Sequence, residues 1–235
     1  MKNIAIVLAA GQGKRMGSKV PKQYLLLKGK PVLFYSLKAF QESFIDAIVL
    51  VTPAEDVAYC RKEIVETYHL DKVIDIVPGG RERYHSVVQG LACISHLACD
   101  YIWIHDGARP FLNTDIIERV YQCAKENGNA VTAMPVKDTI KIVDQEQFVV
   151  QTPNRQSVWQ IQTPQTFESN MIRSAYQKLM QQESELLKKG ITITDDAMVV
   201  ENTMNQKVKL IEGSYENIKI TTPEDLKVAE LFFST

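Results

Sequence analysis

Residues 3–23 read NIAIVLAAGQGKRMGSKVPKQ, an apolar run that ends in a loop rich in glycine and cations. The run NIAIVLAA has the composition of a buried strand, and it is too short for the apolar core of a signal peptide. Glycines let backbone amides approach an anion closely, and Arg15 and Lys22 add positive charge beside them. The stretch predicts a strand followed by an anion-binding loop, in preference to a plain turn with solvated charges.

The rest of the N-terminal half repeats this alternation of strand and helix. Apolar runs rich in Val and Ile lie at 47–53, 72–80, 100–110 and 130–136. Amphipathic segments lie between them, near 31–42, 55–68, 82–97 and 114–127. Such alternation is typical of a mostly parallel sheet covered on both faces. We therefore expect an α/β fold, a Rossmann-like three-layer sandwich with a mostly parallel twisted sheet.

Ligands of such sheets bind at the carboxyl ends of the strands. The loops that follow three of the predicted strands are AAGQGKR, PGGRER and HDGARPF. Glycine, arginine and one aspartate recur in them, so we expect the site at this edge.

The pattern changes at about 137–159, which reads KDTIKIVDQEQFVVQTPNRQSVW. Two alternating segments joined by a polar turn predict a projecting β-hairpin arm. A lone hairpin is marginal in water, so we expect the arm to rest on a second subunit in a homodimer. Beyond the arm, the sequence predicts helices near 168–188 and 194–202, a strand at 207–213, a short segment NIKIT at 217–221 and a last helix that opens with Thr222 and Pro223.

Bulk composition excludes several classes of protein. The 235 residues carry a formal net charge of −1, so no global field attracts nucleic acid or an anionic membrane. No apolar stretch is long enough to span a bilayer. The four cysteines show no C-x-x-C spacing, and the four histidines form no i, i+4 pair. We expect reduced thiols and a cytoplasmic protein with neither a nucleic-acid nor a membrane partner.

The first loop departs from two familiar nucleotide-binding motifs. A Walker A loop needs four residues between its first glycine and a Gly-Lys-Ser/Thr, and no such spacing is present. In the dinucleotide fingerprint G-x-G-x-x-G, Gly11 and Gly13 match but Met16 holds the third position. The sequence also offers no acid ~20 residues further on, where that fingerprint places one. A dinucleotide-dependent oxidoreductase is therefore disfavoured.

The order of the motifs resembles a known family. LAAGQGKRM followed by PK is similar to the signature loop of sugar-phosphate nucleotidyltransferases, and GGRERYHSV, HDGARPF, QTPQTF, ITDDA and NIKITTPEDL follow it. Together they resemble the 2-C-methyl-D-erythritol 4-phosphate cytidylyltransferases, over essentially the whole chain. The resemblance implies one nucleotidyltransferase domain over 1–235. It also implies a reaction in which a phosphate oxygen of the polyol phosphate attacks the α-phosphorus of CTP and pyrophosphate leaves, as part of non-mevalonate isoprenoid biosynthesis.

The resemblance also implies roles for individual residues. The catalytic cations would be Arg15, Lys22 and Lys219. The nucleotide would be held by Ala9, Ala10, Gly11, Gly13, Gly80, Arg83 and Ser86. The polyol phosphate would be bound by Asp106, Arg109, Thr139, Arg155, Thr163 and Lys219. In the family the arm residues Thr139 and Arg155 reach the site of the neighbouring subunit.

Asp106 has a further expected role, because a carboxylate at the end of an apolar strand suits Mg²⁺, or another divalent cation, bound jointly with substrate phosphates. The competing interpretation is a cap or a partner for a nearby arginine, and Arg109 either contacts substrate or braces Asp106. Asp195 and Asp196 either bind ligand or cap a helix.

Two positions depart from the family pattern or extend it. His85 stands where the family usually carries an acid, and Arg81 is an additional cation.

Two other functions remain open: a ribitol-5-phosphate cytidylyltransferase, and, more remotely, a CTP-sensing regulator that catalyses no transfer.

Overall fold

The computed structural model describes residues 2–11, 13, 16–17 and 20–233. The strands in that part of the chain are β1 (Asn3–Leu8), β2 (Leu26–Leu27), β3 (Lys30–Pro31), β4 (Ala47–Thr52), β5 (Val73–Pro78), β6 (Tyr101–Asp106), β7 (Asn129–Pro135), β8 (Ile142–Val143), β9 (Val149–Gln151), β10 (Trp159–Glu168) and β11 (Leu210–Glu212). Seven of these strands form one sheet in the order β11-β7-β10-β6-β1-β4-β5. β1 pairs in parallel with β4 and β6, and the same holds for β4 with β5 and for β11 with β7.

Helices connect and cover these strands. They are α1 (Val32–Gln41), α2 (Val57–Tyr59), α3 (Arg83–Cys93), α4 (Thr114–Asn127), α5 (Ser169–Lys188), α6 (Asp196–Met204) and α7 (Pro223–Phe232). α2 continues as a π-helical segment, Cys60–Glu66. The predicted start of α7 is confirmed, since the side chain of Thr222 accepts a hydrogen bond from the amide of Asp225 and Pro223 occupies the first helical position. None of the described helices is long and apolar enough to cross a lipid bilayer.

The sheet is covered on both faces, as the near-continuous apolar strands predicted. Along β1, Ile4 and Ile6 point into a core shared with α3, α5 and α6. Ala5 and Val7 point into the opposite core, which is shared with α1, α4 and the π-helical segment. This alternation follows from the period of two in a strand, and it confirms the three-layer α/β sandwich.

β10 is a strand that the sequence pattern did not predict. It runs antiparallel between β6 and β7, in a sheet that is otherwise parallel. Its sequence WQIQTPQTFE lacks an apolar run, although four of its polar residues are buried: Gln162, Thr163, Gln165 and Thr166. Buried polar groups of this kind are stabilised by hydrogen bonds and not by hydrophobicity. A strand that contains them therefore shows no apolar pattern in the sequence.

The hairpin arm is present, with strands shorter than the predicted boundaries. β8 and β9 pair antiparallel, Ile142 opposite Gln151. Nearly every residue from 137 to 157 is exposed. The segment 217–221 has no regular strand structure, but the amide of Ile220 donates to the carbonyl of Ala108 at 2.8 Å. That bond brings Lys219 to the carboxyl end of β6.

Candidate active site

Three loops at the carboxyl edge of the sheet enclose a first cavity of about 650 Å³. The loops follow β1, β5 and β6, as expected for an α/β sheet. Of the predicted site residues, those that line this cavity are Ala9, Ala10, Gly11, Gly13, Lys22, Gly80, Arg83, Ser86, Asp106 and Lys219. Gln23, Arg81, Glu82 and Ala108 also line it. The sequence therefore located the cavity and most of its walls.

A second cavity of about 780 Å³ adjoins the first. Arg109, Thr163 and Lys219, all predicted to bind substrate, line it together with residues of β10 and α6. Arg83, Asp106 and Lys219 line both cavities, and we call these three residues the shared wall. Two ligands in the two cavities would meet there.

The carboxylate of Asp106 in the shared wall is surrounded by three cations. Lys219 Nζ lies 2.8 Å from its Oδ2, and Arg83 Nε lies 3.3 Å from its Oδ1. Arg109 Nε lies 3.7 Å from Oδ2. Burial favours the neutral acid, but the cations outweigh it and hold the pKa of Asp106 well below its usual value of 3.8. Asp106 is therefore charged at neutral pH, and the four side chains together carry net positive charge.

Arg83 connects Asp106 to a second buried carboxylate. Its Nη1 and Nη2 donate to the two oxygens of Asp196 at 2.9 and 2.7 Å. The hydroxyl of Tyr176 donates to Oδ1 of Asp196 at 2.6 Å. Burial disfavours the charge of Arg83, but Asp196 and Asp106 outweigh it and raise the pKa of the guanidinium well above its usual value. The bidentate geometry fixes the plane of the guanidinium and aims its Nε at Asp106.

The structure shows one of the two roles that the ITDDA motif left open for Asp195, and because Asp195 also lines the second cavity, its binding role stays a prediction. Asp195 is the N-cap of α6, because its Oδ1 accepts from the amide of Met198 at 3.0 Å. Asp196 is fully buried and partners Arg83, so it touches the site only through that arginine.

Thr163 and His105 brace the backbone at Asp106. The amide of Asp106 donates to Thr163 Oγ1 at 3.0 Å, which leaves the hydroxyl proton of Thr163 for His105 Nδ1, also 3.0 Å away. His105 Nε2 lies 3.3 Å from the carbonyl oxygen of Arg109. Burial lowers the pKa of His105 to about 3, so the ring is neutral at physiological pH. Thr163 lines the second cavity, but its hydroxyl is engaged with the backbone amide of Asp106 and with His105.

The segment 79–86 after β5 is held by close backbone packing. A Cβ at Gly79 would lie 2.4 Å from Ala10 Cβ, and a Cβ at Gly80 would lie 2.3 Å from His85 Cβ. The amide of Gly80 donates to Ser86 Oγ at 3.1 Å. Only glycine fits at these two positions, and the Ser86 hydroxyl predicted to contact a base also braces the segment.

The glycine loop after β1 is described in part. Gly13 has φ +60, a left-handed conformation that glycine adopts freely, and a Cβ there would lie 3.3 Å from Lys22 Cγ. This contact places the stem of Lys22 against the loop. Arg15, the other predicted loop cation, lies outside the described residues.

Comparison with known proteins identifies the family of this chain. The family model described as 2-C-methyl-D-erythritol 4-phosphate cytidylyltransferase matches residues 3–235. The chain belongs to this family. A protein of that name from Lachnospira eligens is 48% identical over 231 residues, which cover 98% of each chain. Another from Caldanaerobacter subterraneus subsp. tengcongensis is 44% identical over 229 residues, 97% of each chain.

A solved structure agrees with this assignment. The chain resembles 4-diphosphocytidyl-2C-methyl-D-erythritol synthase from Anaerococcus prevotii DSM 20548 with a TM-score of 0.82 and 32% identity. The comparison covers 100% of this chain and 96% of that one. The predicted fold and the predicted cytidylyltransferase activity with methylerythritol phosphate are confirmed, and nothing in these findings supports the ribitol phosphate alternative.

Two predicted residues of the cytidylyltransferase lie away from both cavities. Thr139 and Arg155 are exposed on the arm, and Arg155 Nη1 donates to the backbone carbonyl of Lys137 at 3.1 Å. Their substrate contacts stay a prediction, as do the binding roles of the residues in the cavities.

Three members of this polar network were absent from the predicted site. His105 and Gln165 belong to the motifs HDGARPF and QTPQTF, so motif position was an available signal for both. Gln165 Oε1 accepts from the amide of Asp196 at 3.1 Å and so holds the start of α6. Tyr176 lies in the middle of α5 and carries no motif signal.

Proposed function

We propose that this cytidylyltransferase binds CTP in the first cavity and 2-C-methyl-D-erythritol 4-phosphate in the second, and that it transfers CMP between them where the two cavities meet. The observation that carries this proposal is the shared wall of Arg83, Asp106 and Lys219 between the two cavities. A phosphate oxygen of the acceptor attacks the α-phosphorus of CTP at this wall. The bond from that phosphorus to the bridging oxygen breaks, and pyrophosphate leaves with the electron pair.

Positive charge at the shared wall supports this chemistry. Two polyanions must approach each other, and negative charge grows on the α-phosphate and on the leaving group. Lys219, Arg83 and Arg109 are held within 2.8 to 3.7 Å of Asp106, so their positions are fixed before substrate binds. Fixed cations stabilise developing charge without reorganisation, and phosphoryl-type transfer needs no protein nucleophile. Lys22 adds a cation from the loop on the other side of the first cavity.

Mg²⁺ fits this site through one carboxylate only. No cluster of three or more His, Cys, Asp or Glu occurs among residues 2–11, 13, 16–17 and 20–233. A hard cation in such a site takes one or two carboxylates plus substrate phosphates, and Asp106 is the carboxylate of the shared wall, where Arg83, Arg109 and Lys219 already contact its oxygens. Asp106 would hold the ion jointly with CTP, and the ion would neutralise charge on the triphosphate.

The segment after β5 is proposed to hold the cytosine. Gly80 and Ser86 line the first cavity and are fixed to each other by the bond from the Gly80 amide to Ser86 Oγ. Backbone groups in a rigid segment can read the hydrogen-bonding edge of a base without a dedicated side chain.

The arm is proposed to complete the second cavity of a partner in a homodimer. Exposed apolar side chains line both of its strands: Ile142, Val143, Phe148, Val149 and Val150. A small hairpin with such an exposed apolar surface is not stable by itself. Packing of the arm against a second copy of the chain would cover these side chains. The four thiols are free, which supports a reducing, cytoplasmic location.

The Arg155→Ala variant tests the arm. We expect the KM for 2-C-methyl-D-erythritol 4-phosphate to rise about tenfold or more, because a charge-assisted contact to phosphate is lost. The Kd for CTP, measured by calorimetry, should not change. Lys141→Ala removes a cation of the same arm that donates to Thr152 Oγ1, and it serves as the matched control. Equal loss of CTP affinity in the Arg155 variant would contradict the assignment.

The reaction itself is tested by pyrophosphate release. CTP, UTP and ATP are each combined with 2-C-methyl-D-erythritol 4-phosphate, ribitol 5-phosphate and other polyol phosphates in the presence of Mg²⁺. We expect turnover with CTP and methylerythritol phosphate and only background with the other pairs. Turnover of ribitol phosphate alone would contradict the proposed acceptor, and CTP binding without release in any pair would instead indicate a nucleotide sensor.

A further inference from the structure

The carboxylate of Glu183, in α5, contacts two side chains in the first turn of α3. Glu183 Oε1 accepts from the hydroxyl of Tyr84 at 2.7 Å. The same oxygen lies 3.0 Å from His85 Nε2. The side chains of His85 and Glu183 are 21% and 23% exposed, so the contact is largely shielded from water. One oxygen therefore joins two consecutive residues of α3 to a helix that is about a hundred positions away in sequence.

His85 also takes part in capping the N-terminus of α3, whose N-cap residue is Glu82. The amide of Glu82 donates to His85 Nδ1 at 3.3 Å, while the side chain of Glu82 accepts from the backbone at His85. This reciprocal arrangement is a capping box, in which glutamate or glutamine usually holds the position of His85. Because Nδ1 is an acceptor, we assign the ring proton to Nε2, which then donates to Glu183. Both ring nitrogens are thus committed, and the segment is braced without an acid at position 85.

The position of His85 determines the position of Gly80. A Cβ at Gly80 would lie 2.3 Å from His85 Cβ and 3.0 Å from the His85 carbonyl carbon, so the two residues are in tight contact. Ser86, the next residue, accepts from the Gly80 amide at 3.1 Å. Gly80, Arg83 and Ser86 all line the first cavity. A movement of the first turn of α3 would therefore move one wall of that cavity.

Tyr84 contributes to the same contact with Glu183. Its ring is 7% exposed and lies 4.4 Å from the ring of His85, centroid to centroid. Burial and the bond to Glu183 raise the pKa of Tyr84 to about 12, so the hydroxyl stays protonated and donates.

We propose that Glu183 is a positioning residue for nucleotide binding: through His85 and Tyr84 it holds segment 80–86 in the geometry that receives the base of CTP. It touches no substrate itself. The inference rests on the proposed placement of CTP in the first cavity. It predicts an effect confined to the nucleotide side of the reaction.

The test compares Glu183→Ala with a matched control. Glu183→Ala should raise the Kd and the KM for CTP about tenfold, a typical effect of losing hydrogen bonds to a charged, partly buried group. The kcat and the KM for methylerythritol phosphate should stay within about twofold, because Asp106 and Lys219 lie outside segment 80–86 and Asp196 still holds the guanidinium of Arg83. Amide hydrogen exchange over 79–86 should become faster. Glu185→Ala is the control, since Glu185 lies on the same helix and pairs with Lys189 on the surface.

Two milder variants separate positioning from simple loss of structure. Glu183→Gln keeps an acceptor oxygen and should restore the CTP affinity to within about threefold of the parent. Tyr84→Phe removes one of the two bonds and should give an intermediate Kd. If both variants match the parent and Glu183→Ala loses thermal stability but binds CTP normally, Glu183 is merely structural and the proposal is overturned.

The parent enzyme distinguishes a failure of this inference from a failure of the proposed function. CTP should slow amide exchange over 79–86 in the parent enzyme. If CTP binds without protecting that segment, its placement in the first cavity is wrong and this inference falls with it. If CTP protects the segment but Glu183→Ala changes neither exchange nor Kd, the placement stands and only the role of Glu183 is refuted.

Discussion

The Lys219→Ala variant should lose about two to three orders of magnitude in kcat, the range found when one preorganised charge-stabilising donor is removed. Lys219 lines both cavities, and its ammonium lies 2.8 Å from Asp106 Oδ2 at the shared wall. In the proposed arrangement of substrates, the attacked phosphorus would lie beside Lys219. Asp106 keeps Arg83 and Arg109 as partners in the variant, so the carboxylate stays ionised.

The measurement is single-turnover release of pyrophosphate, with the Kd for CTP measured separately by calorimetry. We expect the Kd to change by less than about tenfold, because the glycine loop and segment 79–86 are intact. Lys219→Arg should recover part of the rate, since it restores charge but not the compact ammonium. Lys227→Ala, an exposed lysine in α7, is the control. A variant that raises KM for both substrates while kcat is unchanged would show uniform binding and contradict a transition-state role.

The second large effect is expected at Asp196, on stability as well as on activity. Asp196→Ala should lower the free energy of unfolding by about 3 kcal/mol, because breaking a buried ion pair leaves an uncompensated charge. Asp196 is fully buried and binds both Nη atoms of Arg83, whose side chain is three-quarters covered. Tyr176 would lose its acceptor as well. Turnover should fall because Arg83 is no longer held at the shared wall.

Urea denaturation of three variants separates the two consequences. The double variant Arg83→Met with Asp196→Leu should regain much of the stability, since apolar residues of similar volume often replace a buried pair at little cost, but it should not regain activity. Asp195→Ala removes the cap of α6 and should cost about 1 kcal/mol. Parental stability in Asp196→Ala would mean that Arg83 finds another partner, and the buried pair would then not explain its position.

Much of the fold was predictable from local sequence. β1, β4, β5 and β6 lie inside the predicted apolar runs, with ends that differ by a few residues. A parallel strand buried on both faces must be apolar at nearly every position, so its signal is strong. β10 gave no such signal, because its buried residues are polar and are satisfied by partners distant in sequence, such as Asp195 for Gln165.

By itself, the sequence determined the fold class, the edge of the sheet that carries the site, and the glycine and cationic residues around the first cavity. These depend on local chemistry: apolar strands, glycines where backbone must come close, and loops that follow strand ends. Only the tertiary structure decided the partners of the charged groups. Arg83 meets Asp196 across 113 positions, and Tyr84 meets Glu183 across 99. Such side-chain pairs form where helices from distant segments pack on the same sheet. The spacing of the two residues along the chain gives no signal for this contact.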